Sequence, residues 1–325
     1  MNQTKKDIIH CCEQIIEIQI AIAYIELSQD WKIDLDKSKI DFYKNQFFKL
    51  DTNIYLTESA NLMNKKQTQT QILEIEMNKF ILSIQSNFDI ESKRELLKLL
   101  FQSMHQVLSI EETQDSKLIN KYFERFSFFR SFDFIDEIIG INYSPDINQK
   151  SIPMQKERLY EGAGVGVQSS YSTLFQIYKN VDLFQNASVI DLGSGYGRLG
   201  FYLNILRPDI HFTGYEFLDY RVNQANENLK NIFSSNNSQF LTQDLSKTDF
   251  KLPVADFYYL YDPFTDSTYQ LIMDQLVEIS RRKNITIISK GNSKIWLRSI
   301  EEKMIDYHIR SIDNDHIVIV EKQTA

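Results

Sequence analysis

The segment "SVIDLGSGYGRLGFYL", residues 188–203, places four glycines within eight positions, directly after a run containing valine and isoleucine. The whole chain of 325 residues has only ten glycines. Glycine is used where the backbone adopts a positive φ or comes very close to another group. A strand, a glycine-rich turn and a helix N-terminus form the usual start of a nucleotide-type site, because the first helical turn presents free N–H groups. Taken alone, such a turn is also compatible with a purely structural role.

The pattern around this segment predicts an α/β fold with a doubly wound, seven-stranded, mostly parallel sheet. Short runs of β-branched and aromatic residues alternate with helical segments, which is typical of βαβ units. Strands are expected near 188–193, 211–217, 238–243, 255–262 and 284–290, and helices near 168–184, 197–206, 219–232, 266–281 and 292–303. The last two runs, "DYHIRSID" and "HIVIVEK", are separated only by "ND". That spacing predicts a C-terminal antiparallel hairpin.

The first part of the chain has a different, helical period. In "ESKRELLKLLFQSMHQVLS" the apolar residues share one face of a helix. Helices are expected near 7–28, 36–49, 68–87, 91–109 and 116–139. The stretch "GINYSPDINQKSIP", residues 140–153, is typical of a linker. The sequence therefore predicts an α-helical domain over 1–145, for substrate or partner recognition, and the α/β domain over 146–325.

Composition excludes several classes of function. A hydrophobic content of 42% is typical of a globular protein, and the formal net charge of −8 argues against a nucleic-acid partner. The adjacent Cys11 and Cys12 are a poor match for a disulfide scaffold, which favours a reducing, cytoplasmic location. Glu17 and Gln19 interrupt the most apolar run, so no membrane span is expected. The five histidines lack metal-ligand spacing, and we expect no metal site.

Asp191 distinguishes between the possible ligands of the glycine turn. A dinucleotide site usually has an apolar residue there, followed by G-x-G-x-x-G, whereas this chain has Arg198 at the third glycine position. A carboxylate next to a diphosphate would cost binding energy, but it would attract a cation. The sequence therefore predicts a positively charged ligand.

These residues resemble the first motif of the class I, seven-stranded methyltransferases that use S-adenosylmethionine, in which an acid precedes G-x-G-x-G. The resemblance continues in order along the chain: "FTGYEF" ends a second strand with Glu216, "FLTQD" ends a third with Asp244, and "ADFYYLYDPF" ends a fourth. A single acid at a strand end is equally compatible with an exposed residue. Several acids in register are much more specific.

The resemblance implies a role for each matching residue. Asp191 would orient the methionine ammonium group, and Glu216 would accept hydrogen bonds from the ribose hydroxyls. The adenine would lie against Phe217, and Asp244 would accept its amino group. The cofactor-binding residues implied in this way are Asp191, Gly193, Ser194, Gly195, Gly197, Glu216, Phe217, Asp244 and Leu245.

The segment "YEGAGVGVQSSYSTLF", residues 160–175, contains further glycines. It resembles the loop that covers the cofactor in non-SET histone-lysine methyltransferases. By that resemblance Gln168 and Ser169 would face the cofactor, although Gln168 stands where that family has an acid. A flexible hinge between domains is the alternative interpretation.

The segment "YDPF", residues 261–264, resembles the [DNS]-P-P-[YF] motif of amino-group methyltransferases and the Y-N-P-F motif of a group of bacterial methyltransferases. The chain lacks the second proline of the former. In such enzymes an acidic or amide side chain and a backbone carbonyl accept the N–H bonds of the acceptor, so that its lone pair faces the methyl group. The catalytic residues implied are Tyr261, Asp262, Pro263 and Phe264. The alternative is that Asp262 and Pro263 only terminate the strand.

The function predicted from these observations is S-adenosylmethionine-dependent N-methylation of a protein side chain or a small amine. A different class of function is a non-catalytic protein that binds the cofactor and uses its helical domain for a partner. An NAD-linked oxidoreductase fits less well because of Asp191, Arg198 and the C-terminal hairpin. The acceptor, the number of methyl groups transferred and the oligomeric state stay open.

Overall fold

The computed structural model describes residues 4–30, 63–114, 132–148, 168–233, 237–312 and 316–322. The chain divides into two compact units, Met1–Ile138 and Ile139–Ala325. The predicted helix near 36–49, most of the one near 116–139 and the glycines of 160–167 lie outside the described residues.

The first unit is helical in the part of the chain that the structure describes. It contains α1 (Lys5–Asp30), α2 (Met63–Asn87), α3 (Ile90–Gln114) and the short α4 (Ile135–Ile139), which crosses the boundary between the units. Helix α1 packs against both α2 and α3. The apolar face predicted for α3 is fully buried, as its helical spacing requires. Its members are Leu96, Leu97, Leu100, Phe101, Met104, Val107 and Leu108.

The second unit contains a seven-stranded sheet. Its strands are β1 (Ser188–Leu192), β2 (His211–Glu216), β3 (Ser238–Thr242), β4 (Phe257–Tyr261), β5 (Thr286–Lys290), β6 (Tyr307–Ile312) and β7 (Ile317–Lys322). Their order is β3-β2-β1-β4-β5-β7-β6. The first five are parallel, and β7 is antiparallel to both β5 and β6. The predicted fold and the C-terminal antiparallel hairpin are therefore confirmed, while the turn residues 313–315 lie outside the described part of the chain.

The described part of the second unit also contains the helices α5 (Ser144–Asn148), α6 (Tyr171–Asn180), α7 (Arg198–Leu206), α8 (Asp219–Ile232), α9 (Asp266–Ser280) and α10 (Ser293–Ile300). Of these, α7, α8 and α9 connect parallel strands. Helix α6 begins later than predicted because the hydroxyl of Ser170 caps it, accepting a hydrogen bond from the Thr173 N–H at 3.3 Å. Helix α10 ends at Ile300 and continues as the 3₁₀ turn Glu301–Lys303. Central strands such as β1 and β4 are buried nearly throughout, as expected for a sheet covered on both faces.

The strand order reverses between β1 and β4. In open α/β sheets this reversal leaves a crevice at the carboxyl ends of the strands, where ligands bind. Asp191 is paired in register with Gly214 of β2 and with Tyr259 of β4. Asp191 therefore lies at this edge of the sheet, between β2 and β4.

The linker interpretation of residues 140–153 is wrong for the described part, 140–148. The Asn142 N–H donates to Gln224 Oε1 at 2.8 Å, and Gln224 Nε2 donates back to the Asn142 carbonyl at 3.2 Å. These reciprocal bonds, with helix α5, hold the segment against α8 of the sheet unit. A short polar stretch containing glycine and proline looks like a loop in sequence because its partners lie far along the chain.

Candidate functional site

The glycine turn between β1 and α7 brings two backbone segments into close contact. Gly193 and Gly195 have φ values of +93° and +55°, which side-chain-bearing residues rarely adopt. A Cβ atom on Gly193 would lie 2.4 Å from Cβ of Pro263, and one on Gly195 would lie 2.5 Å from Nε2 of Gln168. The Tyr215 carbonyl of β2 accepts hydrogen bonds from the N–H groups of Gly193 and Ser194 at 2.9 and 2.8 Å. The turn is thus fixed between the ends of β2 and β4.

A cavity of ≈ 30 Å³ lies beside this turn. It is lined by Gln168, Ser169, Asp191, Gly193, Ser194, Arg198, Leu199, Tyr259 and Tyr261. Six of these residues are predicted site residues: Gln168, Ser169, Asp191, Gly193, Ser194 and Tyr261. The structure therefore brings the upstream residues, the glycine turn and the end of β4 together at one place.

Asp191 is a buried carboxylic acid on the wall of this cavity. It is 3% exposed, and no described group donates a hydrogen bond to its side chain. Burial raises the pKa of Asp191 well above its ordinary value, and the nearby charge of Glu216 raises it further. Ser194, the neighbour of Gly193, is also buried, and its Oγ has no hydrogen-bond partner among the described residues. A cationic, hydrogen-bonding ligand would satisfy both groups.

Glu216 ends β2 and reaches back to the glycine turn. Its Oε2 accepts the Gly195 N–H at 2.8 Å, and its Oε1 accepts the Leu218 N–H at 3.1 Å. Oε1 also lies 3.5 Å from Nη1 of Arg221. An ionised carboxylate has about four acceptor positions, so these contacts leave capacity for a ligand.

The turn after β4 has an unexpected geometry at Asp262. This residue has a φ of +43°, and its carboxylate accepts hydrogen bonds from the N–H groups of Asn292 and Ser293 at 2.9 and 2.8 Å. The carboxylate therefore holds the N-terminus of α10. Phe264 is buried, and its ring centroid lies 5.2 Å from that of Tyr269 in an edge-to-face arrangement. Pro263 contacts the glycine turn, and Tyr261 lines the cavity.

Four predicted cofactor residues do not line the cavity: Gly197 in the turn after β1, and Phe217, Asp244 and Leu245 after the ends of β2 and β3. Phe217 is half-buried, and Leu245 is buried. Asp244 is half-buried and accepts hydrogen bonds from the Ser246 N–H and hydroxyl at 3.0 and 2.5 Å. A Cβ atom on Gly197 would lie 2.4 Å from the Phe240 ring. Gly197 therefore packs against the core, whereas the other three lie at the carboxyl edge of the sheet.

Three cavity residues were not predicted from the sequence: Arg198, Leu199 and Tyr259. Arg198 is 1% exposed, and its guanidinium donates to the Ser169 carbonyl at 3.0 Å and lies 4.7 Å from the Tyr171 ring centroid. The Tyr259 hydroxyl makes a short hydrogen bond with the Ser169 hydroxyl. Alternation along β4 could have identified Tyr259, because it shares a face with Tyr261. No sequence signal marked Arg198 as buried.

Residues 183–307 match a family model described as a methyltransferase domain. The match contains the glycine turn, Asp191, Glu216 and the turn after β4. This part of the chain is a methyltransferase domain. Its implied cofactor is S-adenosylmethionine. No curated protein matches the chain well enough to count as a relative.

Several solved structures are similar in fold to the methyltransferase domain. Precorrin-6y C5,15-methyltransferase from Geobacter metallireducens is 13% identical, over 48% of this chain and 90% of that chain, with a TM-score of 0.39. A SAM-dependent methyltransferase from Aquifex aeolicus is 15% identical, over 46% of this chain and 88% of that chain, with a TM-score of 0.33. A TehB-like SAM-dependent methyltransferase from Corynebacterium glutamicum is 13% identical, over 46% of this chain and 85% of that chain, with a TM-score of 0.32.

The residues of the methyltransferase domain fit the chemistry of this cofactor. The buried carboxylate of Asp191 suits its ammonium group, and the acceptor positions of Glu216 suit its ribose. The Gln168 side chain lines the cavity and lies against Gly195. Within the described ranges there is no group of three or more His, Cys, Asp or Glu side chains that could hold a metal ion. None of the helices that the structure describes has the length and apolar character needed to cross a membrane.

Proposed function

We propose that this chain transfers a methyl group from S-adenosylmethionine to an amino nitrogen of a protein side chain or a small amine. The observation that carries the proposal is the buried Asp191 carboxylate, which receives no hydrogen bond from the described residues and lies beside a glycine turn with positive φ values. Such a group is costly in the free protein unless a cation binds to it.

The cofactor-binding residues act by position and charge. Asp191 accepts the ammonium group, Glu216 accepts the ribose hydroxyls, and Phe217, Asp244 and Leu245 form the adenine end. Gln168 and Ser169 cover the site from upstream, with Ser169 held by the Tyr259 hydroxyl and by Arg198. S-adenosylmethionine supplies an electrophilic methyl group on a sulfonium. The residues around it hold an acceptor in line with that methyl group and exclude water.

The acceptor end is formed by the turn after β4. A non-glycine residue at positive φ is strained, and such residues persist where the surrounding structure fixes them, often at functional sites. The bonds from Asn292 and Ser293 to the Asp262 carboxylate fix this turn. We assign Asp262 the role of orienting the turn, and Tyr261 and the backbone carbonyls of the turn the role of accepting the N–H groups of the acceptor. Pro263 and Phe264 anchor the turn against Gly193 and the core.

The resemblances of residues 160–175 and 261–264 to N-methylating enzymes support nitrogen as the acceptor atom. The helical unit, Met1–Ile138, is proposed to select the acceptor. The negative net charge supports a basic protein side chain or a small amine over a nucleic acid.

Calorimetry with S-adenosylmethionine tests the cofactor site. Wild type is expected to bind, and Asp191→Ala and Glu216→Arg are expected to abolish binding. The matched control is Asp209→Asn, which removes a carboxylate at the opposite end of β2 and leaves binding unchanged. Absence of binding by the wild type contradicts the proposal.

Incubation of cell lysate with cofactor carrying a radioactive methyl group tests the acceptor. Label in protein supports a side-chain acceptor, label in small molecules supports an amine, and label that survives only in nucleic acid contradicts the proposal. Asp262→Ala is expected to keep cofactor affinity and to lower the transfer rate. An Asp262→Ala protein with unchanged transfer would remove this turn from the mechanism.

A further inference from the structure

A buried ion-pair network connects the segment before the methyltransferase match to the ribose end of the cofactor site. It begins at Asp146 in the short helix α5, which lies upstream of the matched residues 183–307. Asp146 is 7% exposed. Its Oδ1 accepts hydrogen bonds from the Tyr220 hydroxyl at 2.5 Å and from Arg221 Nε at 3.2 Å, and its Oδ2 accepts one from Arg221 Nη2 at 2.9 Å.

Arg221 is the centre of the network. Two of its nitrogens are bound by Asp146, and the third, Nη1, lies 3.5 Å from Oε1 of Glu216. The ring centroids of Tyr196 and Tyr220 lie 5.5 and 6.0 Å from its guanidinium carbon. Burial by itself lowers the pKa of Arg221, but the two carboxylates outweigh it and the pKa is raised overall. The guanidinium therefore stays charged and has a fixed plane.

A neighbouring cation stabilises the ionised form of Glu216. It is buried close to Asp191, which carries charge of the same sign when ionised. Two buried carboxylates without a cation cannot both be ionised at low cost. Arg221 compensates Glu216, and the bidentate pair with Asp146 prevents Arg221 from turning away to water.

We propose that Asp146 is a positioning residue of the cofactor site, holding Arg221 against Glu216 and thereby fixing the carboxylate that binds the ribose. This inference rests on the proposed function, because it assigns the ribose hydroxyls to Glu216. It adds residues 139–148 to the cofactor site, although this segment lies outside the matched domain.

The test is hydroxyl discrimination, measured by calorimetry on the full chain. The probes are S-adenosylhomocysteine and its analogue whose ribose lacks the 2′-hydroxyl group. Wild type is expected to prefer the ribose compound about tenfold or more, since a hydrogen bond to a charged group is lost with the hydroxyl. Asp146→Asn is expected to lose most of this preference, because an amide no longer fixes the guanidinium.

The control is Asp209→Asn. Asp209 also forms a two-point pair with an arginine, accepting from Arg207 Nε and Nη2 at 2.9 and 2.8 Å, but it precedes β2 and is remote from Glu216. This variant is expected to retain the wild-type preference, which separates the effect of positioning from that of losing a surface ion pair.

The outcomes separate this inference from the proposed function. Wild type that binds neither compound overturns the proposed function and this inference with it. Wild type that discriminates, together with an Asp146→Asn protein that discriminates equally, overturns this inference alone. If Asp146→Asn does not fold, Arg221→Lys decides: it keeps a cation but cannot span both carboxylates, so an unchanged preference overturns the inference and a reduced one supports it.

Discussion

Asp191 and Glu216 are both carboxylates at strand ends, but their surroundings differ. Glu216 accepts two backbone N–H groups and faces Arg221, whereas Asp191 has none of these donors among the described residues. A buried acid without donors favours its protonated form. The free protein therefore carries an energetic cost at Asp191 that the bound ammonium group would remove.

Asp191→Asn is expected to stabilise the free protein while abolishing cofactor binding. The pKa of Asp191 is raised above its usual 3.8, so the folded state favours the protonated acid. The stability that this preference contributes is complete below pH 3.8 and is lost as the pH rises through the raised pKa. At neutral pH the neutral amide should raise the free energy of unfolding by about 1 to 3 kcal/mol, because it removes a buried charge and its repulsion from Glu216, and each unit of raised pKa corresponds to about 1.4 kcal/mol. Urea denaturation measures this difference. It is carried out from roughly pH 4 to pH 8, the range over which most domains stay folded.

Asp209→Asn provides the control of opposite sign. The hydrogen bonds from Arg207 lower the pKa of Asp209 to about 2, so this carboxylate contributes stability above its unfolded pKa, and the contribution is lost as the pH falls through about 2. Its replacement should destabilise the protein at neutral pH. An Asp191→Asn protein less stable than wild type at neutral pH would contradict the expectation.

Cofactor binding is expected to release a proton. An ammonium ligand favours the ionised form of Asp191, so its raised pKa should fall on binding, and the affinity for S-adenosylhomocysteine should fall as the pH falls below that raised pKa. Calorimetry in two buffers of different ionisation enthalpy measures the released proton. 5′-Methylthioadenosine, which lacks the ammonium group, is the control and should bind without proton release; equal release by both ligands would assign the proton to another group.

At the scale of elements, the turn after β4 and the start of α10 stabilise each other. The hydroxyl of Ser293 accepts a hydrogen bond from the Asp262 N–H at 3.1 Å and donates one to the Lys290 carbonyl of β5 at 2.7 Å. A carboxylate at a helix N-terminus is favourable because of the free N–H groups and the helix dipole. The two turns therefore form one unit at the carboxyl ends of β4 and β5.

Asp262→Ala is expected to lower the free energy of unfolding by about 1 to 2 kcal/mol, the value of a lost helix cap. Asp262→Asn should cost less, because asparagine tolerates a positive φ and keeps one acceptor oxygen. Chemical denaturation measures both. Asp219→Ala, at an exposed position in the first turn of α8, is the matched control and should change stability by less than about 0.5 kcal/mol; an equal loss there would show that the Asp262 contacts contribute little.

The elements of the sheet unit could be predicted because its local signals agree. β-Branched strands, glycine turns and amphipathic helices alternate, and the five parallel strands and the hairpin follow from them. Contacts that depend on distant residues could not be predicted. The partner of Asp262 lies after the next strand, and the burial of Arg198 depends on Tyr171 and on the Ser169 carbonyl. Spacing predicted which residues follow the strand ends, but it could not predict where each side chain points.

At the scale of the whole molecule, the chain consists of a helical unit and a sheet unit that divide between Ile138 and Ile139. The sequence indicated this organisation through its change of period, but it placed the boundary at 145/146. The difference arises from residues 139–148, whose polar composition conceals the buried pair of Asp146 and Arg221.

A fragment covering residues 139–325 is expected to bind S-adenosylhomocysteine as the full chain does. A fragment covering 150–325 lacks Asp146 and should bind at least about tenfold more weakly, a difference of about 1.4 kcal/mol. Calorimetry on both fragments, with circular dichroism to confirm that each is folded, makes the comparison. Equal affinities would show that the segment is dispensable for the cofactor site.

Gly193 and Pro263 are in contact although they are far apart in sequence. The proposed functions of their two turns are cofactor binding and acceptor binding. A Cβ atom on Gly193 would lie only 2.4 Å from Cβ of Pro263, so neither turn can move toward the other without displacing it. Occupancy of the nucleoside side and occupancy of the acceptor side should then be thermodynamically linked, and such linkage is reciprocal. An acceptor that moves Pro263 would change the affinity for the methyl donor by the same factor by which the donor changes the affinity for the acceptor.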